Sequence, residues 1–167
     1  MSEYEFIDER PEFDIARVSH EYRYKVAGKY TTDNDIVVDM ACGTAYGKKF
    51  LKYKRYIGVD KYNNGADIVT DLVNWEPDFD YDVAISLETI EHLSDYTQHI
   101  ENLKRAKRIV ISVPIIPTKH RNKFHLQDFT KESIKELFSD CKLIHEEIQN
   151  DIYIILVYET SRNDTSL

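Results

Sequence analysis

Short apolar runs punctuate the chain. Ile36-Val37-Val38 leads into Asp39, and Tyr56-Ile57-Gly58-Val59 leads into Asp60. Runs of this length bounded by turn residues predict buried strands. The pattern places strands at 36–40, 56–59, 66–70, 81–87 and 108–113, the last ended by Pro114. Two more follow at 142–148 and 152–158, joined by a hairpin at 149–151. Between them the period changes. Ile15, Val18, Tyr22 and Val26 recur at helical spacing and predict a helix over 14–30. Further helices are expected over 88–106 and over 131–138, the second with Thr130 as N-cap. Strands alternating with helices predict an α/β, Rossmann-like doubly wound fold. The final hairpin makes it a seven-stranded mixed sheet with an antiparallel last strand. The expected organisation is an N-terminal arm (1–13, read as loosely ordered), one domain (14–160) and a flexible tail (161–167).

Composition adds limits. The 167 residues suffice for one domain with a proper core. Apolar residues make up 42% and charged residues 31%, as in ordinary soluble proteins. The acidic start resembles no signal peptide, and no apolar run approaches a membrane span. Cys42 and Cys141 lie far apart and read as free thiols in a reducing cytoplasm. The formal net charge of -8 argues against a broad nucleic-acid surface but leaves room for a local basic patch. The run KHRNKFH, residues 119–125, is read as the only concentrated basic patch of an acidic chain: a solvated loop or a contact for an anionic acceptor.

The first strand runs into a turn of small residues, Ala41, Cys42, Gly43, Thr44, Ala45 and Gly47, before Lys48-Lys49-Phe50-Leu51, which can begin a helix. Such a turn lets a ligand approach the backbone. The spacing of a dinucleotide fingerprint, G-x-G-x-x-G, is not met. Asp60 lies about twenty residues further on, where an acid can accept hydrogen bonds from ribose hydroxyls.

These residues carry a resemblance. VVDMACGTAYG, YIGVD, ADIVTDL, DVAISLETIEHL and RIVISVP resemble successive motifs of the class I S-adenosylmethionine-dependent methyltransferases, over nearly the whole chain. The resemblance implies S-adenosyl-L-methionine as methyl donor, with Asp39, Ala41, Cys42, Gly43 and Tyr46 around the donor turn. Asp60 would bind the ribose with Lys61 beside it, Asp71 and Leu72 would meet the adenine, and Leu87 would close the set. Arg23, in a segment (SHEYRY) similar to one preceding the glycine-rich motif in a branch of these enzymes, would reach the donor's carboxylate. Ala41 and Ala45 stand where the family usually has glycine, and this keeps open a non-catalytic interaction module. Cys42 reads as a packing residue, not a nucleophile.

ETIEHL, residues 88–93, is the other constellation. In a helix Glu88, Glu91 and His92 would share a face. Together with His125 they resemble the metal set of small-RNA 2′-O-methyltransferases and of ubiquinone-pathway O-methyltransferases. The resemblance implies Glu88, Glu91, His92 and His125 as ligands of Mg²⁺ or Mn²⁺, and Glu88, His92 and His125 as catalytic groups. The same segment also occurs where its glutamates only support the backbone. Tyr4, Tyr22, Tyr24 and Tyr46 are candidates to cover the acceptor. The expected reaction is methyl transfer to an oxygen or nitrogen of a sugar or other small metabolite. A partner subunit, as in a homo-oligomer, can complete the acceptor side. A nucleic-acid end is the less favoured acceptor.

Overall fold

The computed structural model describes residues 6–162. Its seven strands are β1 (Ile36–Met40), β2 (Arg55–Asp60), β3 (Ile68–Val69), β4 (Val83–Leu87), β5 (Arg108–Pro114), β6 (Lys142–Gln149) and β7 (Tyr153–Glu159). They form one sheet in the order β3-β2-β1-β4-β5-β7-β6. β1 runs parallel to β2 and β4, and β4 parallel to β5. β7 is antiparallel to both β5 and β6. The expected mixed sheet is therefore present.

The apolar runs are strands because both of their faces are covered. On one face Val38, Met40, Ile57, Val59, Ile109, Ile111 and Leu156 pack with Ile100 and Leu103 of α2 (Thr97–Lys104) and Ile134 of α3 (Lys131–Glu136). On the other, Val37, Tyr56, Val83, Ile85, Val110 and Val157 pack under Tyr24 and Ala27 of α1 (Ile15–Gly28). Asp14 caps α1, its carboxylate accepting from the amides of Ala16 and Arg17. At the far end of α1, a Cβ on Gly28 would strike the carbonyl of Phe50, so glycine is needed for this close approach. In the final hairpin Asn150 and Asp151 sit at φ 55° and 56°, and the amide of Ile152 bonds the carbonyl of Gln149 at 3.1 Å. That is the type I′ turn that matches strand twist.

Four expectations change. Residues 46–50 form a short 3-10 turn, not the start of an α-helix. The helix expected over 88–106 is broken into a 3-10 turn, Ile90–His92, and α2. The break has local causes: Glu88 is at φ 52°, Leu93 is extended, and the Asp95 carboxylate accepts from the amide of Thr97. Glu88, Glu91 and His92 therefore do not share one helical face. The third strand shrinks to two residues, because the carboxylate of Asp67 takes the amide of Gly58 in place of a ladder bond. The arm is docked from residue 6. The Arg17 guanidinium donates to the carbonyls of Asp8 (3.2 Å) and Arg10 (2.6 Å), and Thr44 donates its hydroxyl to Asp8 at 2.6 Å. Tyr4, the first part of the arm, and all but the beginning of the expected tail lie outside the described residues.

Candidate functional site

The chain turns from β1 to β2 on one side and to β4 on the other, which opens a crevice at the carboxyl ends of the strands. A cavity of ≈ 710 Å³ lies there. That is within the usual range for small-molecule sites. Ala41 and Gly43, Asp60 and Lys61, Asp71 and Leu72, and Glu88 and His92 line it.

The turn after β1 is conformationally unusual. Ala41, Gly43 and Ala45 have φ of 70°, 59° and 64°. Glycine adopts such values freely, and an alanine pays roughly 1 kcal/mol or more. The amides of Ala41 and Cys42 are tied to the carbonyl of Val59 at 2.8 and 3.1 Å. Asp60 secures the turn from the side. Its Oδ2 accepts from the amide of Gly43 at 2.9 Å and its Oδ1 from the amide of Tyr62 at 3.0 Å. Each oxygen keeps a lone pair for a further donor. Asp71 is exposed and accepts from the amide of Val73, while Leu72 is buried beneath the cavity wall.

Asp39, Cys42, Tyr46, Leu87 and Arg23 stand behind this lining. Asp39 is 1% exposed and accepts from Tyr56 (2.7 Å) and Tyr24 (3.0 Å). Burial raises its pKa to about 6 against the pull of the two phenols. The ring of Tyr46 meets that of Tyr24 edge-on. The Cys42 thiol is pushed up by burial and by Asp39, which suits a packing residue. Arg23 is buried, donates to Gln149 at 2.8 Å and lies over the ring of Tyr153. Its charge also reaches Glu88 and opposes the rise in that carboxyl's pKa. Tyr22 is exposed and donates to Glu147.

The other wall is made by side chains. Glu88 accepts from the Ser112 hydroxyl at 2.8 Å, and burial raises its pKa. Beyond it, Glu91, His92 and His125 bring one ligand atom each within 4.8 Å of one another, while Glu88 stands outside this group. The backbone explains the meeting: the amides of Leu126 and Gln127 both donate to the carbonyl of Glu91. His92 Nδ1 lies 3.0 Å from the carbonyl of Phe124, so it carries the proton and Nε2 is left with its lone pair. His125 Nδ1 is held by Thr118 at 2.6 Å. Burial lowers the pKa of both imidazoles. Glu91 is 1% exposed, and both its carboxylate oxygens lack a hydrogen-bond partner. Burial first, and then Glu88, push its pKa well up.

Several lining residues carry no sequence signal. Phe6 from the docked arm, Phe124 and Leu126 from the loop after β5, and Thr70 before Asp71 all reach the cavity. Phe6 and Phe124 arrive from distant segments, and only a fold can place them. Among the described residues no helix is long and apolar enough to cross a membrane.

No protein-family model matches the chain, and no curated protein matches it. Solved structures do. The N-methyltransferase NodS from Bradyrhizobium japonicum, in complex with S-adenosyl-L-homocysteine, aligns over 90% of this chain and 90% of its own with a TM-score of 0.70 at 13% identity. The [4+2]-cyclase SpnF aligns over 91% and 85% with a TM-score of 0.71 at 11% identity. The small-RNA methyltransferase HEN1 aligns over 96% of this chain but 27% of its own, with a TM-score of 0.63 at 15% identity. The sheet order, the crevice and these alignments agree: the chain has the fold of the class I S-adenosylmethionine-dependent methyltransferases.

Proposed function

We propose that the protein is an S-adenosylmethionine-dependent methyltransferase acting on an oxygen or nitrogen of a sugar or other small metabolite. One observation carries this reading: a single cavity gathers the left-handed turn at Gly43, the carboxylates of Asp60 and Asp71, and Glu88. Fold alone would not suffice, since a cyclase shares it. Asp60 would accept from the ribose hydroxyls, Leu72 would pack against the adenine, and Asp71 would face its amino group. The donor supplies a methyl group already activated on a sulfonium. The protein's task is then to align the acceptor and take its proton. Glu88 suits the second role, because burial raises its pKa and Ser112 fixes its position. Titration calorimetry with S-adenosylmethionine and S-adenosylhomocysteine tests the reading. Saturable one-to-one binding of both is expected; binding of neither to folded protein would sink it in favour of a non-catalytic module.

A second reading has its own support. Glu91, with two unpartnered buried oxygens, faces two imidazoles whose outer nitrogens are held by Phe124 and Thr118. Oriented imidazoles beside a carboxylate suit a divalent cation. Glu91, His92 and His125 would hold Mg²⁺ or Mn²⁺, which lowers the pKa of a bound hydroxyl. Glu88 would then serve the acceptor and not the ion. On this reading His92→Ala and His125→Ala each remove any dependence of methyl transfer on Mg²⁺ or Mn²⁺. Full activity in excess chelator would remove the metal.

A further inference from the structure

A second cationic region lies away from the cavity, and it is denser than the loop at 119–125. The segment 48–55, KKFLKYKR, carries five cations in eight residues and no acid. The fold adds two more from α1. Lys25 and Lys49 bring their ammonium groups to 5.5 and 5.1 Å from the centroid of the Phe50 ring. Lys48 lies 5.7 Å from the Tyr53 ring. Lys29 follows on the C-cap of α1, whose last turn rests on Phe50. The amide of Lys52 bonds the Thr31 hydroxyl, and those of Lys54 and Arg55 bond the carbonyl of Asp35. The result is one face with Lys25, Lys29, Lys48, Lys49, Lys52, Lys54 and Arg55 all exposed, and Phe50 and Tyr53 half-buried among them.

None of these seven makes an ion pair with a carboxylate among the described residues. Other cations are paired. Lys104, Lys107, Arg108, Lys131 and Lys135 are paired with Asp140, Asp82, Asp35 and Glu146. Asp35, on the turn beside the face, points inward to Arg108 at 2.7 Å. The exposed acid on that turn is Asp33. Seven like charges in a chain of net charge -8 raise their mutual repulsion without local relief. Arg55 opens β2 and Asp60 ends it, so the far end of the face lies about 17 Å along the strand from the cavity, while Lys48 and Lys49 follow directly on the turn at Gly43 and Ala45. None of the seven cations lines the cavity.

We propose that this face docks the phosphate backbone of a nucleic-acid strand. Clustered lysines without fixed partners fit a row of phosphates, and aromatic rings among them offer surfaces for bases. An acidic protein segment would use the cations and leave the rings idle. The inference is independent of methyl transfer, because it concerns the protein without donor or acceptor.

Fluorescence anisotropy tests it, with fluorescein-labelled RNA and DNA strands of about 20 nucleotides and their duplexes. Binding is expected at 50 mM salt, weakening on the order of 10²-fold by 200 mM as counterions are recaptured. The variant Lys48→Glu/Lys49→Glu/Arg55→Glu should lose binding on the order of 10²-fold while keeping its circular dichroism. The charge-matched variant Lys119→Glu/Arg121→Glu/Lys123→Glu should stay within about threefold of wild type, since the loop is not part of the face. Absence of binding at 50 mM salt would overturn the proposal. So would equal losses in the two variants, or competition by polyglutamate as effective as that by the oligonucleotides.

Discussion

The two walls of the cavity are built by opposite means. The wall proposed for the donor is backbone: Ala41, Gly43 and Ala45 hold left-handed conformations, and Asp60 fastens the turn through the amide of Gly43. The wall proposed for the acceptor is side chains: Glu88, Glu91, His92 and His125, carried on a broken helix and a long loop. On the first wall the hydrogen bonds are made and the strain is already present. On the second, Glu91 is left with two orphaned oxygens. A wall made of backbone can accept one ligand well. A wall made of unsatisfied side chains needs something to complete it, whether an acceptor hydroxyl, a cation or a proton.

Five substitutions break or sharpen this comparison. The largest effect is expected behind the donor wall. The folded pKa of Asp39 is about 6, above the unfolded value near 4. Folding therefore favours the protonated form. The stability from this group is full below pH ~4 and declines by roughly 3 kcal/mol as pH rises through 6. Asp39→Asn keeps a neutral acceptor for Tyr56 and should lack that decline. Urea unfolding of both proteins from pH 4 to 7 should show the variant gaining steadily on wild type; parallel curves would mean that Asp39 ionises freely.

Next comes Asp60→Ala, which removes the fastening of Gly43 and, on the proposed function, the acceptor for the ribose hydroxyls. A loss of about 2–3 kcal/mol, or roughly 30- to 150-fold in donor affinity, is expected by calorimetry. An unchanged affinity would mean that the backbone alone makes the donor wall.

On the acceptor wall, Glu91→Gln should stabilise the protein by about 1–2 kcal/mol at pH 8 in chelator, because a buried carboxylate without partners is costly. The raised pKa gives the sign: the wild-type deficit should shrink as pH falls and the carboxyl protonates. A variant less stable than wild type in chelator would show that the wall is complete as it stands.

The smallest effects belong to Ala41→Gly and Ala45→Gly. Each relieves a positive φ and should raise stability by about 0.5–1 kcal/mol, after the greater unfolded freedom of glycine is subtracted. A fall in stability for both would show that the methyl groups pack too well to lose.

Sequence reading recovered the parts whose signals are local. β1, β2, β4 and β5 are short apolar runs buried on both faces, and their ends place Asp60 and Glu88 at the crevice. The parts it missed depend on contacts across the chain. Glu88 to Ala106 reads as one helix, since nothing in its apolar spacing announces a left-handed Glu88 or an extended Leu93. The enclosure of Asp39 has no local signal, because the two tyrosines that bond it come from fifteen and seventeen residues away. Most of the cationic face is legible in the run KKFLKYKR, residues 48–55, and only the addition of Lys25 and Lys29 from α1 and its C-cap needs the fold.

The place of β7 in the sheet has a consequence for how the chain is made. β7 lies between β5 and β6, pairing Arg108 with Glu159 on one side and Lys142 with Glu159 on the other. Until Tyr153–Glu159 has left the ribosome, β5 presents a bare edge and β6 has no neighbour at all. The sheet therefore closes from the middle outward only after its last strand arrives. During synthesis the apolar edge of β5 is the surface a chaperone would need to shield.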